Sequence, residues 1–214
     1  MRFFRLMLLS FALLLPRVLF AGDAVPDAAQ VEAAVAKKAD WVKEAGQCPA
    51  SLLPRQVSTA YLMGDTCKLN LALCFMKCEA GDAGACYWLG YDVQQAGGSS
   101  VTADVLFQRA CKLGVASGCT NRAAAMSAQA PQDMAVQRCA VRTYSKTCAH
   151  NEPWGCTMYA LHLSRGLGVK ADPDLALRML ARSCQYGKDD PACSNAMALK
   201  QEILEKRQAA GAAK

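Results

Sequence analysis

Eight of the twelve cysteines fall into four pairs that keep phase along the chain. Cys78 and Cys86, Cys111 and Cys119, and Cys148 and Cys156 each enclose seven residues; Cys184 and Cys193 enclose eight. The first members of the pairs advance by 33, 37 and 36 residues, the second members by 33, 37 and 37. A small residue precedes every second cysteine: Ala85, Gly118, Gly155 and Ala192. A period near 36 with two apolar-periodic segments per unit is the signature of a helical solenoid, in which a helix pair too small to bury its own apolar faces is completed by its neighbours. The chain is therefore expected to be all-α, an α/α superhelix of helix pairs stapled where one pair passes to the next.

The unit from Cys148 to Cys193 shows the pattern best. An apolar-periodic stretch (157–164) is followed by the turn Gly166-Leu167-Gly168 and then by Asp172-Pro173, an N-cap with a proline at the first helical position. Leu175, Leu177, Leu180 and Ala181 put apolar groups on one face of the second segment. At these residues the chain resembles a known family. Residues 166–184 (G-L-G-V-K-A-D-P-D-L-A-L-R-M-L-A-R-S-C), together with Leu89-Gly90-Tyr91, look like the Sel-1-like repeat, a relative of the tetratricopeptide repeat. The cysteine pairs look like its secreted, cysteine-rich Helicobacter-type branch. The likeness covers roughly residues 48–200; the unit that starts at 119 lacks the Gly-x-Gly turn. The resemblance implies a right-handed superhelix with one disulfide per repeat and a concave protein-binding face. Some members are associated with binding or slow hydrolysis of β-lactams.

Residues 1–21 look like a secretory signal, with Arg2 and Arg5 before a short apolar run (6–15) and a cut after Ala21 or Ala24. Pro16 and Arg17 interrupt that run, which is too short to span a bilayer, so no span is expected once the signal is cleaved. Loss of Arg2, Arg5 and Arg17 takes the formal charge from +6 to +3. With no basic run beyond Lys37-Lys38, nucleic acid is not expected as a partner. Twelve cysteines behind an export signal read as a disulfide framework in a secreted or periplasmic protein. The in-phase pairs then give four bridges, 78–86, 111–119, 148–156 and 184–193. Each would join the end of one unit's second helix to the start of the next unit's first. Closing so short a loop contributes about 2.5 kcal/mol on the chain-entropy account.

The expected units are 48–85, 86–118, 119–155 and 156–192, flanked by an N-terminal capping helix within 22–47 and a C-terminal cap helix over 193–211. In the first flank, Val31, Val35, Ala39, Trp41 and Val42 keep helical spacing to Gly46, with Trp41 as a core anchor. In the last, Met197, Leu199, Ile203 and Leu204 form the apolar face. In the unit that starts at 119, Pro131 is expected to open the second helix, with Asp133 in its first turn and Arg138 and Arg142 on its solvated face.

The first unit is degenerate. Cys48 occupies a second-cysteine position with Asp40 where its partner would fall. Cys67, Leu71, Cys74 and Cys78 are spaced as one stripe of one helix. Cys48 is thus expected to reach Cys67 or Cys74, leaving the other, and Cys139, as buried thiols or as one more bridge. A metal or redox site at Cys67 and Cys74 is the sharper alternative, weakened by the lack of a C-x-x-C and of a nearby histidine. In the unit that starts at 86, Tyr87 and Tyr91 share a face with Trp88 beside it. Tyr87 and Trp88 are candidate groove aromatics, since exposed aromatics anchor partners; packing between helices is the plainer role.

No catalytic constellation emerges. There is no S-x-x-K, K-T-G, H-E-x-x-H or G-x-S-x-G. The chain's two histidines, His150 and His162, lack partners in a ligand pattern. No cofactor and no metal is expected. The reading is a non-enzymatic envelope scaffold whose concave groove takes a protein or peptide, or peptidoglycan. A penicillin-binding or weak β-lactamase protein is an alternative from resemblance alone. An assembly factor of the mitochondrial intermembrane space is a third reading; the almost wholly apolar stretch 6–15 is unlike an amphipathic transit peptide.

Overall fold

The computed structural model describes residues 28–65, 67 and 70–212. The signal reading and its cleavage site lie outside the described residues. Among the described residues eleven α-helices follow in order: α1 (Ala28–Ala36), α2 (Ala39–Ala45), α3 (Pro49–Leu52), α4 (Leu71–Glu79), α5 (Ala83–Gln95), α6 (Ser100–Lys112), α7 (Ala116–Gln129), α8 (Met134–Ala149), α9 (Pro153–Arg165), α10 (Pro173–Leu180) and α11 (Pro191–Ala212). Two 3-10 turns, Ala60–Leu62 and Ala181–Cys184, complete the element order. Among the described residues there is no strand, only an isolated parallel bridge between Ser58 and Val115.

From α4 onward each helix packs on the one after it, and α7, α9 and α11 also meet in sequence. That is an all-α solenoid-like array with α5, α7, α9 and α11 in one row. The rows are held together by small residues at the crossings. Gly90 on α5 lets α6 come so near that a Cβ there would lie 3.1 Å from Leu106 Cβ. Apolar burial is distributed along the array rather than gathered in one centre. One cluster joins α1, α2 and α4–α6 through Val35, Trp41, Leu89 and Leu106. Another joins α9–α11 through Leu163, Leu180 and Ile203.

Helix starts follow the chemistry of their first residues. Asp82, Asp133, Asp172 and Asp190 each accept backbone N–H bonds at a helix start, at 3.0, 2.8, 2.8 and 2.9 Å respectively. Helix α8 begins only at Met134, because Asp133 takes the N-cap and leaves Pro131 outside the helix, not at its opening as expected.

The N-terminal flank departs from the single helix expected. It breaks at Lys37-Lys38 into α1 and α2. The break rotates the second half so that Val31, Val35, Trp41 and Ala45 are buried while Val42 is exposed. Trp41 is a core residue, with the Arg109 guanidinium 5.1 Å from its ring centroid. Helix α2 lies on α6, and α3 reaches α6, α7 and α8. The side chain of Arg122 donates from Nε and Nη2 to the Ala45 carbonyl at 3.1 and 2.8 Å, and Gln108 Nε2 donates to the carbonyls of Glu44 and Gln47. The last carbonyls of α2 and its end are thereby satisfied from the array itself. At the other end, α11 buries Leu199 and Ile203 of the expected face, with Leu204 half-buried; Met197 is exposed, and Ala196 beside it is buried instead.

Candidate functional site: a row of clefts along the first-row helices

All twelve cysteines are bonded. The in-phase pairs 78–86, 111–119, 148–156 and 184–193 are joined with Cα–Cα separations of 4.7, 4.6, 4.5 and 4.5 Å. The remaining four pair differently from the expectation. Cys48 is bonded to Cys139 across 91 residues, and Cys67 to Cys74. Cys67 does not extend the stripe of α4: the helix starts at Leu71, and Cys67 lies in the irregular stretch before it. That frees Cys67 to fold back on Cys74. Helix α3, docked on α8 with Ala50 N donating to Thr143 Oγ1 at 3.2 Å, carries Cys48 to Cys139. Cys67 Sγ also lies within 4.8 Å of carboxylate oxygens of Asp65 and Asp92, but a sulfur tied to Cys74 is no thiolate ligand.

The inter-unit crossings place the aromatic residues. Helix α5 presents Tyr87, Trp88 and Tyr91 along one side, with Trp88 edge-on to both tyrosines at 5.1 and 5.6 Å. Helix α9 opens with Pro153-Trp154. Between α5, α7 and α9 lies a cleft of about 520 Å³, lined by Tyr87, Tyr91, Phe107, Asn121, Trp154 and Met158 among others. A second cleft, about 300 Å³, shares Tyr87, Tyr91, Asn121 and Trp154 with the first and adds Tyr61, Trp88, Glu152 and Asp190. A third, about 270 Å³, continues from Trp154 between α9 and α11 as far as the Arg165–Glu202 ion pair. Trp154 is common to all three. Tyr87 and Trp88, the candidate groove aromatics, are thus both at this surface. They are half-buried rather than free-standing, and Tyr87 also packs on Phe107 at 5.7 Å.

Two contributors lie outside the candidate groove residues. Tyr61 comes from the irregular segment 53–65, which runs along the inter-unit turns. Ser58 N donates to Gly114 O and Ala116 N to Ser58 O, both at 2.9 Å, and Ala60 N donates to Ser117 Oγ at 3.0 Å. From there the Tyr61 hydroxyl donates to Asp190 Oδ1 at 3.2 Å while its ring stacks on Tyr186, centroids 4.5 Å apart. Glu152 is fully buried at the start of α9. It accepts from Gly155 N at 2.5 Å and from the hydroxyl of Thr120 at 2.8 Å, with Ser117 Oγ at 3.5 Å. The signal for Glu152 was its place four residues before a second cysteine, the place Asp82 holds before Cys86.

The electrostatics of the second cleft follow from that burial. Desolvation raises the Glu152 carboxyl above the usual carboxylate range, against the hydrogen bonds it accepts. Burial and the nearby Glu152 push the Tyr87 hydroxyl up to about 12, an Asn121 hydrogen bond opposing. Burial, Asp190 and Glu152 raise Tyr61 as well. In the first cleft, Asp104 is held by Arg122 at 3.2 Å and by Gln129 at 3.0 Å; burial still raises its carboxyl and lowers the guanidinium. Among the described residues, no lysine or arginine lines either of these two clefts. Ser117 and Thr120, which line these clefts, turn their hydroxyls to Glu152.

His162 is buried on α9, its Nδ1 3.0 Å from the Leu167 carbonyl and its ring 5.1 Å from Tyr144; His150 is exposed. Arg138 and Arg142 are exposed on α8.

Comparison of the chain with protein-family models, with curated proteins and with solved structures gives no match. Among the described residues, no helix is long and apolar enough to cross a membrane.

Proposed function

We propose that the protein is an exported, disulfide-stapled scaffold of the Sel-1-like kind, and that the cleft row on α5, α7, α9 and α11 docks a segment of another protein. The observation that carries this is Trp154, shared by three successive clefts and flanked by Tyr87, Tyr91 and Met158. Aromatic anchors in connected clefts on rigid helices are the usual make-up of a peptide-binding groove. Six bridges support residence in an oxidising space such as the periplasm or the outside of the cell.

Selection from a random peptide library on the oxidised protein, followed by calorimetric titration, tests this. The expected result is binders whose affinity falls by about tenfold or more when Trp154→Ala is introduced into a protein of unchanged fold. Binders indifferent to both Trp154→Ala and Tyr91→Ala would overturn it.

A further inference from the structure

The second cleft differs from the others in charge. The sequence is basic, formally +6, yet among the described residues the charged side chains lining this cleft are Glu152 and Asp190. Glu152 is fully buried, and every partner it has is a neutral hydroxyl or a backbone N–H: Thr120, Ser117 and the start of α9. A buried acid that ionises calls for a cation, and among the described residues none lies at Glu152. Around the two carboxylates stand the rings of Tyr61, Tyr87, Trp88 and Trp154. Aromatic faces combined with carboxylates form the environment in which an ammonium group is held after losing its water.

Shape and connection restrict what brings that ammonium. The cleft, about 300 Å³, is too small for a folded partner, and it opens through Tyr87, Tyr91, Asn121 and Trp154 into the longer cleft of about 520 Å³. A charge on a flexible stem, extended from a chain lying in the longer cleft, fits this connection. The carboxylates belong to the starts of two different helices. Asp190 Oδ1 is already taken by Ala192 N–H and the Tyr61 hydroxyl, so no two-oxygen face is free for a planar guanidinium. A compact point charge suits them better. The Trp88 indole N–H, buried without an acceptor among the described residues, is a donor available to a carbonyl of the same docked segment.

We infer that the cleft bounded by Tyr61, Trp88, Trp154, Glu152 and Asp190 is the receptor for a lysine side chain of the peptide segment that occupies the adjoining cleft. This rests on the docking reading above. It names the residue type that the partner must present.

The test uses the full oxidised protein and the indole N–H resonances of Trp88 and Trp154. Nα-acetyl-lysine N-methylamide is titrated against its uncharged counterpart, Nα-acetyl-norleucine N-methylamide, at fixed ionic strength. Saturable shifts are expected with the lysine compound, at least tenfold weaker binding with the norleucine compound, and a several-fold loss of lysine binding in Asp190→Asn. Asparagine keeps the N-cap, so that variant folds, and Glu152→Gln serves as a second. Equal response to the two compounds, or no response at tens of millimolar, overturns the lysine receptor. Failure of the two readings is separable. Library peptides that bind without lysine preference remove the lysine receptor and leave the groove. Lysine-amide binding with no peptide binders keeps the pocket and removes the extended groove.

Discussion

Gly118 and Gly155 sit where a disulfide draws the start of one helix onto the end of another, and the space for a side chain has gone. A Cβ on Gly118 would lie 2.7 Å from the Phe107 carbonyl oxygen and 2.9 Å from Ala110 Cβ; one on Gly155 would collide with the Thr147 hydroxyl. At these two units this is the physical content of the small residue before the second cysteine; Ala85 and Ala192, at the equivalent places, are fully buried with their Cβ. Gly118→Ala is expected to destabilise by about 1–3 kcal/mol, as overpacking does, read as a lowered urea midpoint with an unchanged slope. His162 gives a second residue-scale prediction. Burial lowers its pKa, and the neutral ring, with Nδ1–H assigned to the Leu167 carbonyl, closes the α9–α10 turn. A group whose folded pKa is depressed contributes stability present above its unfolded pKa, about 6.5, and lost as pH falls through the folded value. Glu152, raised in the folded state, acts in the opposite sense: its contribution is full below its ordinary pKa and is lost as pH rises through the folded one. The difference between wild type and His162→Asn isolates the histidine and is the quantity to follow. Urea unfolding should show wild type losing stability relative to the variant between pH 7 and pH 5; parallel curves would contradict the assignment.

At the scale of elements, the bridges are unequal. Each in-phase pair closes eight or nine residues of sequence, whereas Cys48–Cys139 closes 91. On the chain-entropy account the long closure is worth about 4.5 kcal/mol and a short one about 2.5. The double variant Cys48→Ser/Cys139→Ser should therefore lower the unfolding free energy more than Cys184→Ser/Cys193→Ser; equal losses would place the origin elsewhere. The short pairs were readable because their spacing repeats. The long pair was not, because what brings Cys48 to Cys139 is the docking of α3 on α8, a contact with no local period. The same holds for residues 53–65. Helix α7 lacks a side-chain cap, since Val115 stands where Asp82 and Glu152 stand before α5 and α9, and the Ser58 carbonyl accepts from Ala116 N–H instead. A backbone acceptor leaves no mark in the sequence, and Tyr61, carried on this segment, was missed with it. Asp172-Pro173, whose cap is a side chain of its own helix, is legible in the sequence.

Across the whole molecule, the solenoid-like array supplies length and the bridges supply stiffness, so a binding surface can be built from half-buried aromatics without a large core beneath it. The aromatic run on α5 was visible as Tyr87, Trp88 and Tyr91. Its meeting with Trp154 was not, because helices α5 and α9 are brought together only by the stacking of complete units. The compartment proposal and the framework are joined: an exported protein with this fold has no reduced thiol, and one kept in a reducing space would lose all six staples. The direct test is the intact mass of the protein isolated from cells, with thiols alkylated before and after reduction. The account predicts no alkylation before reduction, twelve alkylated cysteines after it, and a mass that begins after Ala21 or Ala24. Four or more thiols open to alkylation without reduction, or a mass that retains residues 1–21, would contradict it.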